Sequence, residues 1–152
     1  MDSNSPSESK SFSISFDEKQ LEQLGRIGKI AVERATELTA IELLANVKKE
    51  APVDHGRLAG SFEMEKRGPI SYAVSTAVEY ALVVQEGSQA HIIEPVNRRA
   101  LYWEGADHPV YRVRHPGTKA NPYVDRSISA TEERLEEFAM RAIREAESGA
   151  IV

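Results

Sequence analysis

The sequence contains no cysteine among its 152 residues. Disulfides, thiolate nucleophiles and cysteine-based zinc sites are therefore excluded. The sequence also has no apolar run near the roughly 20 residues that a transmembrane helix needs. The opening MDSNSPSESK lacks the basic start and apolar core of a signal peptide. What is present is 41% hydrophobic residues, enough for one domain with a core of its own.

The protein also has no excess of positive charge: its formal net charge is −5 at pH 7. Proteins that hold duplex DNA tightly usually carry a basic face that neutralises phosphates. The acidity argues against such binding, although a local basic cluster remains compatible with it. We expect residues 1–11, polar and serine-rich, to form a flexible tail, with a cloning remnant or an arm that orders on a partner as alternatives. Residues 12–149 are expected to form a single domain.

A strand and a long helix are predicted for the first third of the chain. Alternation in FSISF, residues 12–16, predicts a short strand. Asp17 and Gln20 have the spacing of a capping box, which predicts a helix from Asp17 to about Lys49 that stops before Pro52. Phe16 and Leu21 fit a hydrophobic staple around that cap. The predicted apolar face of the helix comprises Leu24, Ile27, Ala31, Leu38, Ile41 and Ala45.

Short strands are predicted for the middle of the chain. Residues 58–65 and 70–76 alternate apolar and polar around the turn sequence KRGP, which predicts a hairpin with its turn at 66–69. Residues 78–88 are compatible with a strand or a helix. The segments AHIIEP, ALYWEG and PVYRVRHP are predicted to be short strands.

The end of the chain is predicted to be one helix. Asn121 can cap it with Pro122 at its first position, and it is expected to run to about Glu147. Its predicted apolar face comprises Leu135, Phe138, Ala142 and Ala146. The order of elements predicts an α+β fold, with a long N-terminal helix and a C-terminal helix packed on one antiparallel sheet.

The stretch HPGTKANP, residues 115–122, allows a catalytic and a structural interpretation. In the structural one, Pro116 and Gly117 end the last strand, and Asn121 and Pro122 start the final helix. His115 then holds the joint by a hydrogen bond to the backbone, or contacts a neighbour. We favour a joint over catalysis.

Histidine-dependent chemistry is the main enzymatic alternative. The four histidines, His55, His91, His108 and His115, show no i, i+4 pair of the kind found in helical metal sites. His91 and His115 are a possible acid–base pair, with Arg98 or Lys119 holding a phosphate, but nothing in the sequence brings them together. The GxSxG elbow and the phosphate loop are both missing. We predict no catalytic, cofactor or metal site.

A modest basic cluster lies among aromatic residues in the second half of the chain. Its members, which are candidate contacts to a partner or to DNA, are Arg98, Arg99, Arg112, Arg114 and Lys119. One interpretation is a surface for nucleic acid or an acidic protein. The other is a solvated strand face whose aromatics, Tyr102, Trp103 and Tyr111, belong to the core. The final helix is acidic, which suits head-to-tail packing of identical subunits but equally an ordinary solvated helix.

Four blocks of the sequence resemble a phage family. APVDHGRLAGSF resembles the APVDTGRLxxSI stretch of the siphophage tail-component family, whose members are called tail completion, neck or head–tail joining proteins. VEYALVVQEGSQAHIIEP resembles its YAxYVExGTxxHxIxP block. ALYW and VRHPGTKANPYV resemble its ALxW and VxHPGTxxxPFL ending. The blocks occur in order over residues 51–128. His55 and Ser88 stand where threonine is usual, and Tyr123 replaces a phenylalanine.

The resemblance implies a structural virion protein without enzymatic activity or cofactor. It implies a homo-oligomeric ring of six or twelve subunits in the neck, around the path of the genomic DNA. The implied partners are portal-adaptor or head-closure proteins and tail terminator or tail tube proteins, with no membrane. The implied location is the virion, after assembly in the host cytoplasm.

The motif residues are then expected to be architectural. Asp54 is expected to cap its own turn, and Arg57 to pair with a carboxylate such as Glu86. The full set is Pro52, Asp54, Gly56, Arg57, Tyr80, Glu86, Gly87, His91, Pro95, Trp103, His115, Pro116, Gly117, Asn121 and Pro122.

Overall fold

A computed structural model describes residues 12–15, 25–53 and 56–151. The helices are α1 (Gly25–Glu50), α2 (Arg57–Gly60), α3 (Ala81–Glu86), α4 (Tyr123–Glu132) and α5 (Leu135–Glu147). The strands are β1 (Phe12–Ile14), β2 (Glu63–Gly68), β3 (Ser71–Ser75), β4 (His91–Ile93) and β5 (Val113–His115). The predicted α+β fold is confirmed. No helix in the described ranges is long and apolar enough to cross a bilayer.

Helix α1 is the central element, with α4, α5 and β3 all packed against it. The predicted apolar face is wrong in part, because Ile27, Ile41 and Ala45 are exposed. Leu43 and Val47 are buried instead. Helices pack on one side of α1 and the sheet packs on another. Buried residues therefore occur on more than one side of α1, and a single apolar stripe does not predict them.

The start of α1 differs from the prediction, whereas its end at Glu50 agrees with it. Gly25 has a left-handed φ of 71°, which is not a helical conformation. The predicted helix therefore does not continue unbroken through Gly25. The predicted cap and staple residues before Gly25, the predicted tail at 1–11, and Asp54 and His55 lie outside the described residues.

The main sheet is antiparallel and has the strand order β1-β3-β2. Phe12 pairs with Val74, and Glu63 pairs with Ser75 on the other side of β3. The predicted hairpin is confirmed, but its turn lies at residues 69–70 because β2 continues to Gly68. Residues 57–60, whose last three were predicted to begin the strand, form the helical turn α2.

The main core lies between α1, the sheet and the start of α4. Val47, Phe62, Val74 and Tyr123 are all buried in one cluster. The rings of Phe62 and Tyr123 meet edge to face, with their centroids 6.1 Å apart. This arrangement is a favoured aromatic geometry and ties the hairpin to the C-terminal helices.

The predicted single C-terminal helix is wrong, because α4 ends at Glu132 and α5 starts at Leu135. Arg134 lies in the break and donates to Glu42 of α1, with a nitrogen–oxygen distance of 2.6 Å. The break lets the chain bend while both helices stay on α1. Phe138, Ala142 and Ala146 are buried as predicted, whereas Leu135 is exposed.

Helices α1 and α5 pack antiparallel through small side chains and ion pairs. Ala31 of α1 lies in one buried cluster with Ala142 and Ala146 of α5. Arg34 donates to Glu145 across the same interface at 2.7 Å. Hydrogen bonds from Arg141 and Arg34 lower the pKa of Glu145, so its carboxylate is ionised at neutral pH and engaged within the chain.

A second antiparallel sheet, of β4 and β5 alone, stands apart from the first. The prediction of one sheet is therefore wrong. Neither strand packs substantially on any of the other named helices or strands. We call residues 88–118, which contain these two strands and the chain between them, the arm. The rest of the described chain is the body.

Candidate functional site

The arm is a two-stranded ribbon closed at its base by a pair of backbone hydrogen bonds. Ser88 N–H donates to the Thr118 carbonyl at 2.9 Å, and Thr118 N–H donates to the Ser88 carbonyl at 3.1 Å. Farther out, His91 pairs with His115 and Ile93 with Val113. An isolated bridge joins Leu101 to Val110 near the far end. The strands predicted at AHIIEP and PVYRVRHP are thus shorter than their sequence patterns, and the loop between them is long. The strand predicted at ALYWEG is wrong, because only an isolated bridge at Leu101 occurs there.

The arm has no core of its own, since no residue from 86 to 122 is buried. Apolar side chains nevertheless lie on its surface: Val96 is 93% exposed, Tyr111 74%, Tyr102 70% and Trp103 50%. The alternative that these aromatics belong to the core is therefore wrong. An isolated two-stranded ribbon is marginally stable in water, and contiguous exposed apolar surface usually marks an interaction site. The arm is thus the leading candidate for an interface.

The base of the arm is held by close backbone contact at two glycines. Gly87 and Gly117 have φ of 77° and 94°, where other residues are strained. A Cβ at Gly87 would lie 2.6 Å from the Thr118 carbonyl oxygen. A Cβ at Gly117 would collide with the Ser88 carbonyl oxygen. The two chain segments therefore meet backbone to backbone, which sets the direction in which the arm leaves the body.

The side chain of Gln85 joins α3 to α4. Its Oε1 accepts from Val124 N–H at 2.9 Å, and its Nε2 donates to Asp125 Oδ2 at 2.6 Å. A side chain from another helix thus serves the amino-terminal end of α4, where backbone N–H groups lack partners within the helix. The predicted cap by Asn121 is wrong, because its side-chain oxygen accepts from Arg126 at 2.8 Å.

Replacing Gln85 with alanine is expected to lower the free energy of unfolding by about 1–3 kcal/mol. The reason is that Val124 N–H loses its partner in a buried position, and Asp125 loses a charge-assisted hydrogen bond. Urea unfolding followed by circular dichroism measures the change. Gln89→Ala is the matched control, because Gln89 is exposed and its side chain makes no hydrogen bond within the described residues. Equal stability of the two variants would contradict the assigned cap.

His91 and His115, the candidate acid–base pair, are brought together by the arm. Their ring centroids lie 5.0 Å apart across β4 and β5. Nδ1 of His91 donates to the Gln89 carbonyl at 2.9 Å, and Nδ1 of His115 accepts from Gly117 N–H at 3.1 Å. Both rings are therefore engaged with nearby backbone, as a structural joint requires. No cluster of three or more metal-ligating side chains occurs in the described part of the chain.

The candidate basic residues lie on the arm or beside its base. Arg112 is paired with Glu94 at 3.2 Å, where both side chains are exposed. Arg98, Arg99 and Arg114 form no ion pair within the described residues, so their charges face solvent. The arm thus carries cations and exposed aromatics together, a composition that is enriched at protein interfaces.

Part of the chain matches the model of a known protein family. Residues 18–87 match the family model described as "Bacteriophage HK97-gp10, putative tail-component". The resemblance to a phage tail-component family is confirmed. Searches of curated proteins and of solved structures found no significant match. The match indicates a structural protein of a tailed phage, located in the virion and in contact with other virion proteins.

The tail-component match covers α1, the β2–β3 hairpin and α3, and ends at Gly87. The match includes the block APVDHGRLAGSF and the part of the second block that ends at Gly87. It also includes the long helix, in which we identified no residue diagnostic of the family. The arm and the HPGTKANP stretch lie beyond it. The family is therefore matched mainly through the body, and the roles of the arm residues remain predictions.

The expected architectural residues fall into three groups in the structure. Pro52 and Gly56 lie between α1 and α2, and Arg57 is the first residue of α2. Among the described residues, no ion pair joins Arg57 to Glu86. Tyr80 and Gly87 flank α3, and Glu86 is its last residue. The remainder lie in the arm or lead from it into α4: His91, Pro95, Trp103, His115, Pro116, Gly117, Asn121 and Pro122. Gln85 was missed, because its partners lie about 40 positions away in the chain and no local pattern marks it.

Proposed function

We propose that this protein is a non-enzymatic structural component of the phage neck, where it forms a homo-oligomeric ring around the DNA path. The family match supports a place in a tailed-phage particle. The observation that carries the proposal of assembly is the arm, in which no residue is buried although it presents three large aromatic side chains. Such a segment gains stability when a partner covers it.

A ring requires an interface that joins two different surfaces of the same subunit and closes after a fixed number of copies. The arm and the body provide two surfaces of different character. Six or twelve subunits, the number implied by the resemblance, match the symmetry of tails and portals. Head-closure or portal-adaptor proteins on one side, and tail terminator or tail tube proteins on the other, are the proposed neighbours.

Passage of DNA through the ring fits the charge of the protein. With a formal net charge of −5, the subunit as a whole does not attract phosphates. Weak phosphate contact lets a duplex move through a channel without being held. We therefore assign the arm arginines to protein contacts rather than to a DNA grip.

The experiment that tests the proposed function is a measurement of native mass, by light scattering and native mass spectrometry, over a range of concentrations. We expect a species of six or twelve times the subunit mass of 16.9 kDa. Negative-stain microscopy of that species should show a ring with a central hole. A protein that stays monomeric at high concentration, and that joins neither purified heads nor purified tails, would contradict the proposal.

A further inference from the structure

The body carries an open groove on the side where β1, α1 and the C-terminal helices meet. Its volume is about 390 Å³. Its apolar lining is formed by Ile14, Leu43, Ile128 and Leu135, and Glu132 adds a carboxylate. No residue of the arm lines the groove, so a subunit does not fill it with its own arm.

Acidic residues lie at the groove and follow it in the chain. Glu132 lines the groove, and Glu133 and Glu136 come directly after it, where α4 ends and α5 begins. All three are exposed, and they form no ion pair within the described residues. Glu137, close by, differs from them. Hydrogen bonds from Arg134 lower the pKa of Glu137 and engage its carboxylate within the subunit. The first three carboxylates are therefore the ones available to a partner.

The arm has the complementary composition. Tyr102, Trp103 and Tyr111 offer apolar surface for the lining of the groove. Arg98, Arg99 and Arg114 offer cations without an internal partner among the described residues. Aromatic residues and arginine are the residue types that contribute most to interface affinity. Complementary charge at the rim sets register and partner choice.

We propose that the arm of one copy docks in this groove of the next copy, with its aromatics on the apolar lining and its arginines against Glu132, Glu133 and Glu136. The proposal rests on the ring of the proposed function and names the interface that builds it. Because arm and groove are different surfaces of one chain, each contact leaves one free arm and one free groove. The contact therefore repeats from copy to copy until a ring closes.

Engineered cysteines test the contact directly, because the chain has none of its own. Tyr102→Cys and Leu135→Cys variants are mixed and oxidised. We expect a disulfide-linked heterodimer, and a ladder ending in a covalent ring when both cysteines are in one chain. Tyr102→Cys mixed with Glu65→Cys is the control, since Glu65 is exposed on β2 and does not line the groove. This control mixture should not cross-link.

Charge reversal gives a second readout that does not depend on cysteine geometry. The double change Arg98→Glu and Arg99→Glu should raise the concentration for half-assembly by at least about tenfold, because like charges would then face each other. Adding Glu132→Arg and Glu133→Arg to the same chain should restore assembly. Lys48→Glu with Lys49→Glu, a double reversal at exposed positions on α1, is the matched control and should leave assembly unchanged.

The single tryptophan reports on the arm during the same experiments. Trp103 is half-exposed in the free subunit, so its emission should shift to shorter wavelength as copies assemble. Rings that form normally without the cross-link, and whose assembly tolerates the reversal at Arg98 and Arg99, would overturn the docking and leave the ring intact. A wild-type protein that forms no oligomer and joins no particle would contradict the ring itself.

Discussion

Replacing Tyr123 with alanine is expected to lower the free energy of unfolding by about 3–5 kcal/mol, the range for deletion of a large aromatic in a core. Tyr123 is 1% exposed and is the largest of the fully buried side chains in the described part of the protein. Its ring packs against Phe62 in the cluster that joins α1, the hairpin and α4. Chemical denaturation followed by far-ultraviolet circular dichroism measures the change without relying on Trp103.

Tyr123→Phe is the control for this prediction, and it is expected to cost less than about 1.5 kcal/mol. Burial raises the pKa of Tyr123, so its hydroxyl stays protonated and donates. The acceptor is the Ala81 carbonyl, at a long 3.4 Å. An alanine variant as stable as the phenylalanine variant would show that Tyr123 is not a core residue.

Replacing Gly117 with alanine is expected to open the base of the arm. The left-handed φ of 94° costs a residue with a Cβ roughly 1–3 kcal/mol. The collision with the Ser88 carbonyl adds to that cost. Native-state hydrogen exchange should therefore speed up by at least about tenfold at the amides of Ser88 and Thr118, which pair across the base, since about 1.4 kcal/mol is a factor of ten.

Gly60→Ala is the matched control for Gly117→Ala. Gly60 ends α2, has no left-handed φ, and has open space around the position of a Cβ. Exchange at the arm base should be unchanged in this variant. If Gly117→Ala exchanged at the same rate as wild type, the backbone contact between Gly117 and Ser88 would not be what holds the arm.

The joint predicted from HPGTKANP shows how far local patterns reached. Proline and glycine in this stretch predicted the end of a strand and the start of a helix, and β5 and α4 lie on either side of it. Proline and glycine act through the backbone conformations that each residue type prefers, so their effect can be predicted from the sequence alone. The hydrogen-bonding role of Asn121 was wrong because a distant side chain, Gln85, competes for the same helix end.

Burial was harder to predict than secondary structure. In α5 the predicted apolar positions Phe138, Ala142 and Ala146 are buried, because that helix has one partner, α1. In α1 the helical spacing of apolar residues did not predict which residues are buried, because several elements pack on this helix from different directions. The arm aromatics were open to either interpretation, since the sequence does not say whether a ribbon folds onto the body or away from it.

The sequence by itself determined the α+β class, the long central helix, the hairpin, the joint at residues 115–122 and the resemblance to phage tail components. Each follows from residues that are neighbours in the chain, where periodicity, turn chemistry and motif spacing operate. Only the tertiary structure decided that His91 faces His115, that Gln85 caps α4 and that the arm leaves an open groove on the body unfilled. These depend on contacts between residues far apart in the chain, and such contacts form only when the whole core closes.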